Sequence, residues 1–368
     1  MTKQFKLLEL RFSNILYFGE NNCIDFRKNT NNSNMELLED GEYKSGIYLA
    51  ILYCLYGDKI GETIYFPDNY SKKQNSNFMK MIVNKNKKEF ECSLLFTSGV
   101  DTYFVRRKGL TDYTKMRSIL YKMEDKKWIP LSDIYSSEED VNTRVGRLVG
   151  SYKNFLVTSS YMEVNGSFNL FTDLNPKERC IYLSNILGYQ KLDEYLPLIE
   201  KCINEILGEK YYLLISIKEK NAKIQIKLAN KKNSKTFYNV EICSFSERIF
   251  INLAIKYAFM KLLPCIKPNL FILDLGSYSN SFDCSNIDLL KSLIKKMCDN
   301  DINVFLLTSN KKMKDEDNYK LNVDNEKGIR TINNVGQINY DGIYSDKLEY
   351  KPDRKIMYDS DDESDDEY

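Results

Sequence analysis

The sequence predicts an α/β fold in two lobes, a mixed β lobe followed by a lobe built on a parallel sheet. Three observations predict it. The chain has 368 residues, more than the ~250–300 at which single hydrophobic cores stop growing, and 43% of it is hydrophobic, enough to build real cores. Its second half alternates helix-like and strand-like runs, the signature of a parallel layer crossed by helices. Near the start, strand-like runs lead through a polar loop to Lys44-Ser45 and a buried helix, the context that a phosphate-binding loop requires.

Taken in order, Phe5 to Leu10 has the pattern of a strand, an apolar run follows through Ile15 to Phe18, and Cys23 to Phe26 reads as a short strand. Asn29 to Asn34 is an Asn-rich loop with turn chemistry. Gly46 to Tyr56 is apolar on nearly every face, so a buried helix is expected there, with Gly57 as its C-cap. Residues 89–107 alternate, carry β-formers and are split by Ser98-Gly99-Val100-Asp101, which predicts a hairpin ending in Arg106-Arg107. One or two strands surround Trp128, and Val141 to Gly150 reads as a short helix. Asn175-Pro176-Lys177-Glu178 opens a helix running to Gly188, and Leu192 to Leu207 continues helical. Leu213 to Ile217 and Ile224 to Leu228 look like paired strands. Glu247 to Leu263 is a strong helix, Leu270 to Asp274 a buried strand, Asn286 to Asn300 a helix, and Val304 to Thr308 another buried strand.

Composition narrows the chemistry. There is no histidine, which removes Ser-His-Asp and Cys-His catalysis, zincin chemistry and His-liganded metals from this chain. Nine cysteines stand singly with no C-x-x-C pair, which argues against a zinc knuckle or redox dithiol and fits a reducing compartment. No apolar run approaches the ~18–20 residues that cross a bilayer, so no membrane is expected and the location expected is cytoplasmic or nuclear. The abundance of Asn, Lys, Ile and Tyr fits an AT-rich genome, as in some large DNA viruses. Lys+Arg number 53 and Asp+Glu 52, but residues 359–368 are almost entirely Asp, Glu and Ser, so the body is basic and the tail is expected to be disordered. That tail reads as a solvated solubility segment, a contact for a basic partner or a mimic of nucleic acid; Ser360 and Ser364 sit among acids as candidate phosphorylation sites.

Two segments carry candidate chemistry. Lys44-Ser45 at the head of a helix offers free amides, a positive helix end and a cation to a phosphate, with Ser45 able to hold Mg²⁺; the same residues also suit an ordinary helix N-terminus. Leu270-Phe271-Ile272-Leu273-Asp274 describes either a core strand or a central strand delivering a carboxylate to its C-terminal edge, where Asp274 would order the Mg²⁺ shell.

The order of these pieces resembles the ATP-binding-cassette heads of the SMC/Rad50 (bacterial SbcC) family over residues 5–310. Gly41, Lys44, Ser45 and the run Ala50 to Gly57 match that family's G-P-N-G-x-G-K-S/T loop and following helix, and Arg106 fits a first-lobe strand that ends in arginine. Leu148 to Phe155 is similar to the segment leading to the Q-loop, and Pro176-Lys177-Glu178-Arg179 with Leu183 and Leu187-Gly188 to the element behind it. Ser244 to Ala258 stands in place of the signature helix, then come the Asp274 strand and the switch-like strand ending at Thr308-Ser309. The resemblance implies a two-lobed P-loop NTPase head with ATP and Mg²⁺ as cofactors. It implies that Gly41, Lys44 and Ser45 cradle phosphates, that Asp274 orders Mg²⁺, and that Ser244 and Glu247 touch a nucleotide on an opposing head.

The departures fall on chemical positions. Leu38 and Tyr43 replace loop glycines, Met162 or Glu163 stands for the Q-loop glutamine, Phe245 and Ser246 replace the signature glycines, Leu275 replaces the catalytic glutamate, and Ser309 the switch histidine. General-base assistance is worth ~10²–10⁴ in rate, so hydrolysis is expected to be slow or absent while binding survives. A pseudo-ATPase scaffold without nucleotide is the rival reading, and an ATPase using Glu163 or a partner's carboxylate as base a third.

Four segments follow: an N-terminal lobe over 1–188, a truncated insertion over 189–243 where the family carries its coiled coil, a C-terminal lobe over 244–350, and the acidic tail over 351–368. The insertion holds no sustained heptad, only one modest helix, strands and the turn Lys231-Lys232-Asn233-Ser234-Lys235. Expected partners are a like head in a homodimer or a nuclease, in DNA recombination, repair or packaging. DNA itself is weakly signalled by Lys72-Lys73, Lys85-Asn86-Lys87-Lys88, Arg106-Arg107-Lys108, Lys231-Lys232 and Lys311-Lys312.

Overall fold

Period-two alternation builds the first sheet, and apolar runs build the second. The chain begins with β1 (Gln4–Ser13), β2 (Asn22–Asp25), β3 (Met35–Leu38) and helix α1 (Lys44–Tyr56). A meander follows: β4 (Glu89–Ser98), β5 (Asp101–Leu110), β6 (Arg117–Glu124) and β7 (Lys127–Pro130). Helices α2 (Glu138–Val149) and α3 (Tyr152–Ser159) lead to the short strands β8 (Ser160–Tyr161), β9 (Glu163–Val164) and β10 (Ser167–Phe168). Next come α4 (Pro176–Leu187), α5 (Leu192–Leu207), β11 (Tyr211–Lys218), β12 (Lys223–Asn230) and β13 (Tyr238–Asn239). The remainder is α6 (Phe245–Leu262), β14 (Lys267–Pro268), β15 (Leu270–Gly276), α7 (Cys284–Cys298), β16 (Asn303–Thr308), β17 (Tyr319–Lys320), β18 (Val323–Glu326) and β19 (Ile329–Ile332). The computed structural model describes residues 4–29, 35–38, 44–57, 82–110, 117–131, 138–161, 163–164, 167–168, 171–172, 174–208, 211–218, 223–230, 236–276, 284–300, 302–308, 319–320, 323–326 and 329–332.

The first sheet runs β14-β1-β4-β5-β6-β7, antiparallel except for β14 on β1, with β2 sharing an edge of β1. The predicted hairpin is present, with Ser98 paired to Asp101 around Gly99-Val100. The second sheet is wholly parallel and runs β17-β3-β16-β15-β8. It draws β3 and β8 from the first half of the chain and the other three strands from the second. The third sheet, β11-β12-β13, is antiparallel.

Two cores lie on either face of the parallel sheet. Along β15, Leu270 and Ile272 pack with α1, β4 and β5, whereas Phe271 and Leu273 pack with α4 to α7 and the third sheet. Alternation on β16 does the same, sending Phe305 to one side and Val304 and Leu306 to the other. Each core supplies one lobe, and the strand ends between them are where a ligand can sit.

Helix boundaries follow local chemistry. The side chain of Asn175 accepts from the amides of Lys177 and Glu178 while Glu178 accepts from the Asn175 amide, a capping box before α4. Gly57 closes α1 at φ 60°, its amide donating to the Tyr53 carbonyl at 2.9 Å. At the other ends of four helices, cations cap last-turn carbonyls. Arg107 donates to Cys54 O (2.9 Å), Lys256 to Leu156 O (2.8 Å), Lys267 to Leu263 O (2.6 Å) and Lys296 to Glu205 O (2.8 Å).

Three features differ from the sequence reading. Strand β3 went unread because four residues between an Asn-rich stretch and acidic residues give no period. Helix α3 was read only as a lead-in segment. The Ile15–Phe18 run is a tight loop with Asn14 and Leu16 in the left-handed region, at φ 60° and 51°. The Asn-rich loop from 30 onward and the turn at 231–235 lie outside the described residues, as do Lys72-Lys73, Lys311-Lys312 and the acidic tail. Among the described residues no helix is long and apolar enough to cross a membrane. The eight cysteines whose side chains are described form no disulfide.

Candidate functional site

Ligands of open parallel sheets bind beyond the carboxyl ends of the strands, and here that edge holds the end of β3, which precedes α1, and Asp274 on β15. Strand β3 ends at Leu38, the residue read as a replaced loop glycine, and α1 starts again at Lys44. Beside β3, β16 ends at Thr308, which pairs with Leu38; beside β16, β15 carries Asp274 opposite Leu307. Asp274 is thus two strand spacings from β3, ~10 Å. Its side chain is buried, and the register breaks between it and Gly276, a bulge that ends the pairing of β15. On the far side, Leu273 pairs with Tyr161 of β8, so the chain leaves this same edge toward Glu163 in β9.

Helix α1 is fixed to this edge by a contact that the sequence reading missed. Tyr48, one turn beyond Lys44, donates to Ser160 Oγ on β8 at 3.2 Å, and both groups are buried. Ser160 Oγ donates in turn to the Leu156 carbonyl at 3.3 Å. This bond ties α1 to β8, the strand beside β15. No carboxylate lies in the first turn of α1, so its free amides and positive end are not neutralised from within the helix. Lys44 and Ser45 are its first two residues. A buried carboxylate near the end of β15 and a helix start without acids are groups whose chemistry suits a Mg-nucleotide. Among the described residues no group of three or more His, Cys, Asp or Glu could hold a metal by itself.

Other predicted residues are placed elsewhere or outside the described residues. Gly41, Tyr43, Met162 and Ser309 lie outside them. Ser244 and Glu247 sit not at the parallel-sheet edge but at the start of α6, in a capping box. Glu247 accepts from the Ser244 amide (2.9 Å) and hydroxyl (2.7 Å), and the Glu247 amide donates to Ser244 Oγ (3.4 Å). Glu247 also accepts from Tyr238 of the third sheet at 3.4 Å. Burial first, then the Glu247 charge, push the Tyr238 phenol up to about 12. The S-x-x-E spacing is itself the signal of such a box. Phe245 and Ser246 open the same helix.

The basic run 106–108 is not an open cationic surface. Arg106 binds Glu91 through two contacts (2.6 and 3.1 Å), Arg107 is fully buried on Cys54 O and Ser118 Oγ, and Lys108 pairs with Glu89 at 2.9 Å. β5 also continues past both arginines to Leu110. In the 85–88 run, exposed Lys87 pairs with Glu20 at 2.6 Å.

No family model matches the chain. An uncharacterized protein of Acanthamoeba polyphaga mimivirus is 27% identical over 229 residues, 60% of this chain but 16% of that protein, so the chain spans only a small part of its relative. Among solved structures it is similar to an SMC head bound to the C-winged-helix domain of ScpA, with TM-score 0.63 at 15% identity over 90% of this chain and 98% of that one. A Pyrococcus furiosus SMC head with an extended coiled coil, bound to the C-terminal domain of ScpA, gives 0.61 at 13%, covering 89% and 96%. The SMC head of Thermotoga maritima gives 0.51 at 16%, covering 90% and 99%. The fold is that of SMC heads, the two-lobed ATP-binding-cassette type.

Proposed function

We propose that this chain is a nucleotide-binding head of SMC/Rad50 type that takes ATP with Mg²⁺ at the carboxyl edge of its parallel sheet and pairs with another head. One observation supports the reading: the parallel order β3-β16-β15 ends the strand that precedes α1 and the strand that carries Asp274 at the same edge, two spacings apart. The free amides of the first turn, with Lys44 and Ser45, would bind the phosphates; Ser45 and Asp274 would hold Mg²⁺, which supplies charge neutralisation between the phosphate oxygens. Ser244 and Glu247 would meet the nucleotide of an opposing head, with their capping box fixing the start of α6. A nuclease or a kleisin-like protein is an alternative partner, since two of the similar heads are bound to ScpA domains. The setting proposed is DNA recombination, repair or genome maintenance. Titration with Mg·ATP by calorimetry tests the reading, with Lys44→Ala as control. Measurable heat that the substitution abolishes supports it, and identical flat curves from both proteins overturn it.

Leu275 favours a second reading, a scaffold that keeps the fold without turnover. A hydrophobic side chain follows Asp274 where the attacking water needs a base. Glu163, in β9, is the carboxylate proposed to compensate. Turnover that survives Glu163→Gln would dismiss that role.

A further inference from the structure

We propose that Phe18, in the loop between β1 and β2, is the positioning residue for the first turn of α1; the proposal rests on the nucleotide-binding reading and adds the device that aims its phosphate-binding end. The starting point is Gly46, two residues beyond Lys44. Glycine inside a helix is unfavourable relative to alanine, so its place near the start of α1 asks for a reason. A Cβ at Gly46 would lie 2.9 Å from both Cδ2 and Cε2 of Phe18 and 3.9 Å from the Ile15 carbonyl oxygen. The Phe18 ring therefore rests on bare helix backbone.

The ring has no room to withdraw. It is fully buried and meets Phe12 edge to face, centroids 5.1 Å apart. Its loop is pinned on all sides: Phe18 N donates to Ile15 O (2.9 Å), Asn84 Nδ2 to Phe18 O (3.2 Å), Leu16 N to Ile82 O (2.7 Å) and Asn14 N to Gly19 O (2.8 Å). Asn14, Leu16 and Asn21 all hold left-handed φ, at 60°, 51° and 61°. For leucine that conformation is strained, and such strain persists only where the surroundings over-determine it. A strained loop held by these bonds thus serves as a fixed stop against the helix end. Anion binding by backbone amides works over ~2.7–3.1 Å, so pushing this turn outward by part of a methyl radius misaims its N–H groups.

A double-mutant cycle of Gly46→Ala and Phe18→Val tests this, read by urea midpoint and by Mg·ATP affinity at a temperature where every variant is folded. In the native background Gly46→Ala is expected to lower the midpoint and weaken ATP at least tenfold. In the Phe18→Val background the same substitution is expected to raise the midpoint, because the methyl now fills space, and to leave ATP affinity within threefold of Phe18→Val. A Gly46→Ala effect of the same sign in both backgrounds overturns the contact. Tight ATP binding that Gly46→Ala leaves unchanged overturns the positioning role alone. No ATP binding by the native protein overturns the nucleotide reading, and with it the role given to Phe18.

Discussion

Lys256 of α6 donates to the Leu156 carbonyl of α3 at 2.8 Å, and to Val157 at 3.2 Å, from a site only 2% exposed. Its ligands are neutral carbonyls at a helix end, and burial pulls its ammonium down to about 7. An unfolded lysine titrates near 10.4, so between about 7 and 10 the unfolded chain binds more protons than the folded one. The contribution of Lys256 to stability therefore rises with pH across that window. Lys267, lowered to about 8 chiefly by burial, adds a second rise that begins higher. Urea midpoints of the native protein are expected to climb from pH 7 to 9. In Lys256→Met the climb should be shallower and start near 8, and identical slopes would refute the assignment.

Ser244 and Glu247 have a structural task whatever their role toward a partner. Ser244→Ala should cost about 1 kcal/mol of stability through the lost cap. Glu247→Gln keeps an acceptor for the Ser244 amide and hydroxyl, so its loss should be smaller. It should also bring the Tyr238 phenol down from about 12 part of the way, because burial, the larger cause, remains. Spectrophotometric titration of the tyrosines reads this. A head–head role adds one more outcome: ATP-dependent dimerisation weakened in Glu247→Gln by more than its stability loss explains.

Side chains of α5 close the open edge of β11. Asn204 of α5 donates to Leu213 O (2.8 Å) and accepts from Leu213 N (2.7 Å), and Glu200, one turn earlier, accepts from Ile215 N (2.7 Å). These side chains occupy bonds that another strand would take from β11. Asn204→Leu leaves two backbone groups without their partner, at about 1–3 kcal/mol each. Asn204→Asp keeps the acceptor and should lose roughly half as much. Chemical denaturation ranks the two. Equal losses would mean that the edge bonds carry no weight.

Much of this was legible in the residues. Alternation gave the β4–β5 hairpin to its turn, and Asn175-Pro176-Lys177-Glu178 gave the start of α4, because both signals are local. Leu270 to Asp274 and Val304 to Thr308 could be read as buried strands, but their order with β3 between β17 and β16 could not. Non-local pairing leaves no trace in a four-residue segment. The run Arg106-Arg107-Lys108 looked like a cationic surface, yet the same alternation puts Arg107 on the inward face with Tyr103 and Val105. The strong helix read at Glu247 to Leu263 carries no local sign that Asn252 and Lys256 are buried with partners, because those partners come from elsewhere in the chain; Asn252 donates to Thr172 Oγ1 at 2.6 Å.

Substitution of Asp274 tests metal binding separately from phosphate binding. Asp274→Asn removes a charge at the strand end but not the amides of α1. Affinity for Mg·ATP should fall tenfold or more, whereas ATP with chelator should bind both proteins equally weakly. Calorimetry with and without Mg²⁺ distinguishes these. A loss of the same size in both conditions would mean that the carboxylate does not act through the metal.

Leu275 offers a gain-of-function test. If slow turnover comes from a missing base and not from a missing nucleotide, Leu275→Glu supplies a carboxylate directly after Asp274, at the edge that β3 and β16 share. General-base assistance is worth ~10²–10⁴. The low end is expected, since Ser309 stands where the family's switch histidine would add a further contact. Phosphate release should therefore rise about a hundredfold in the variant, and only at protein concentrations that allow two heads to meet, because Ser244 and Glu247 are proposed to serve the site of the opposing head. A variant that binds Mg·ATP, dimerises and still releases no phosphate would move the chain to the scaffold reading.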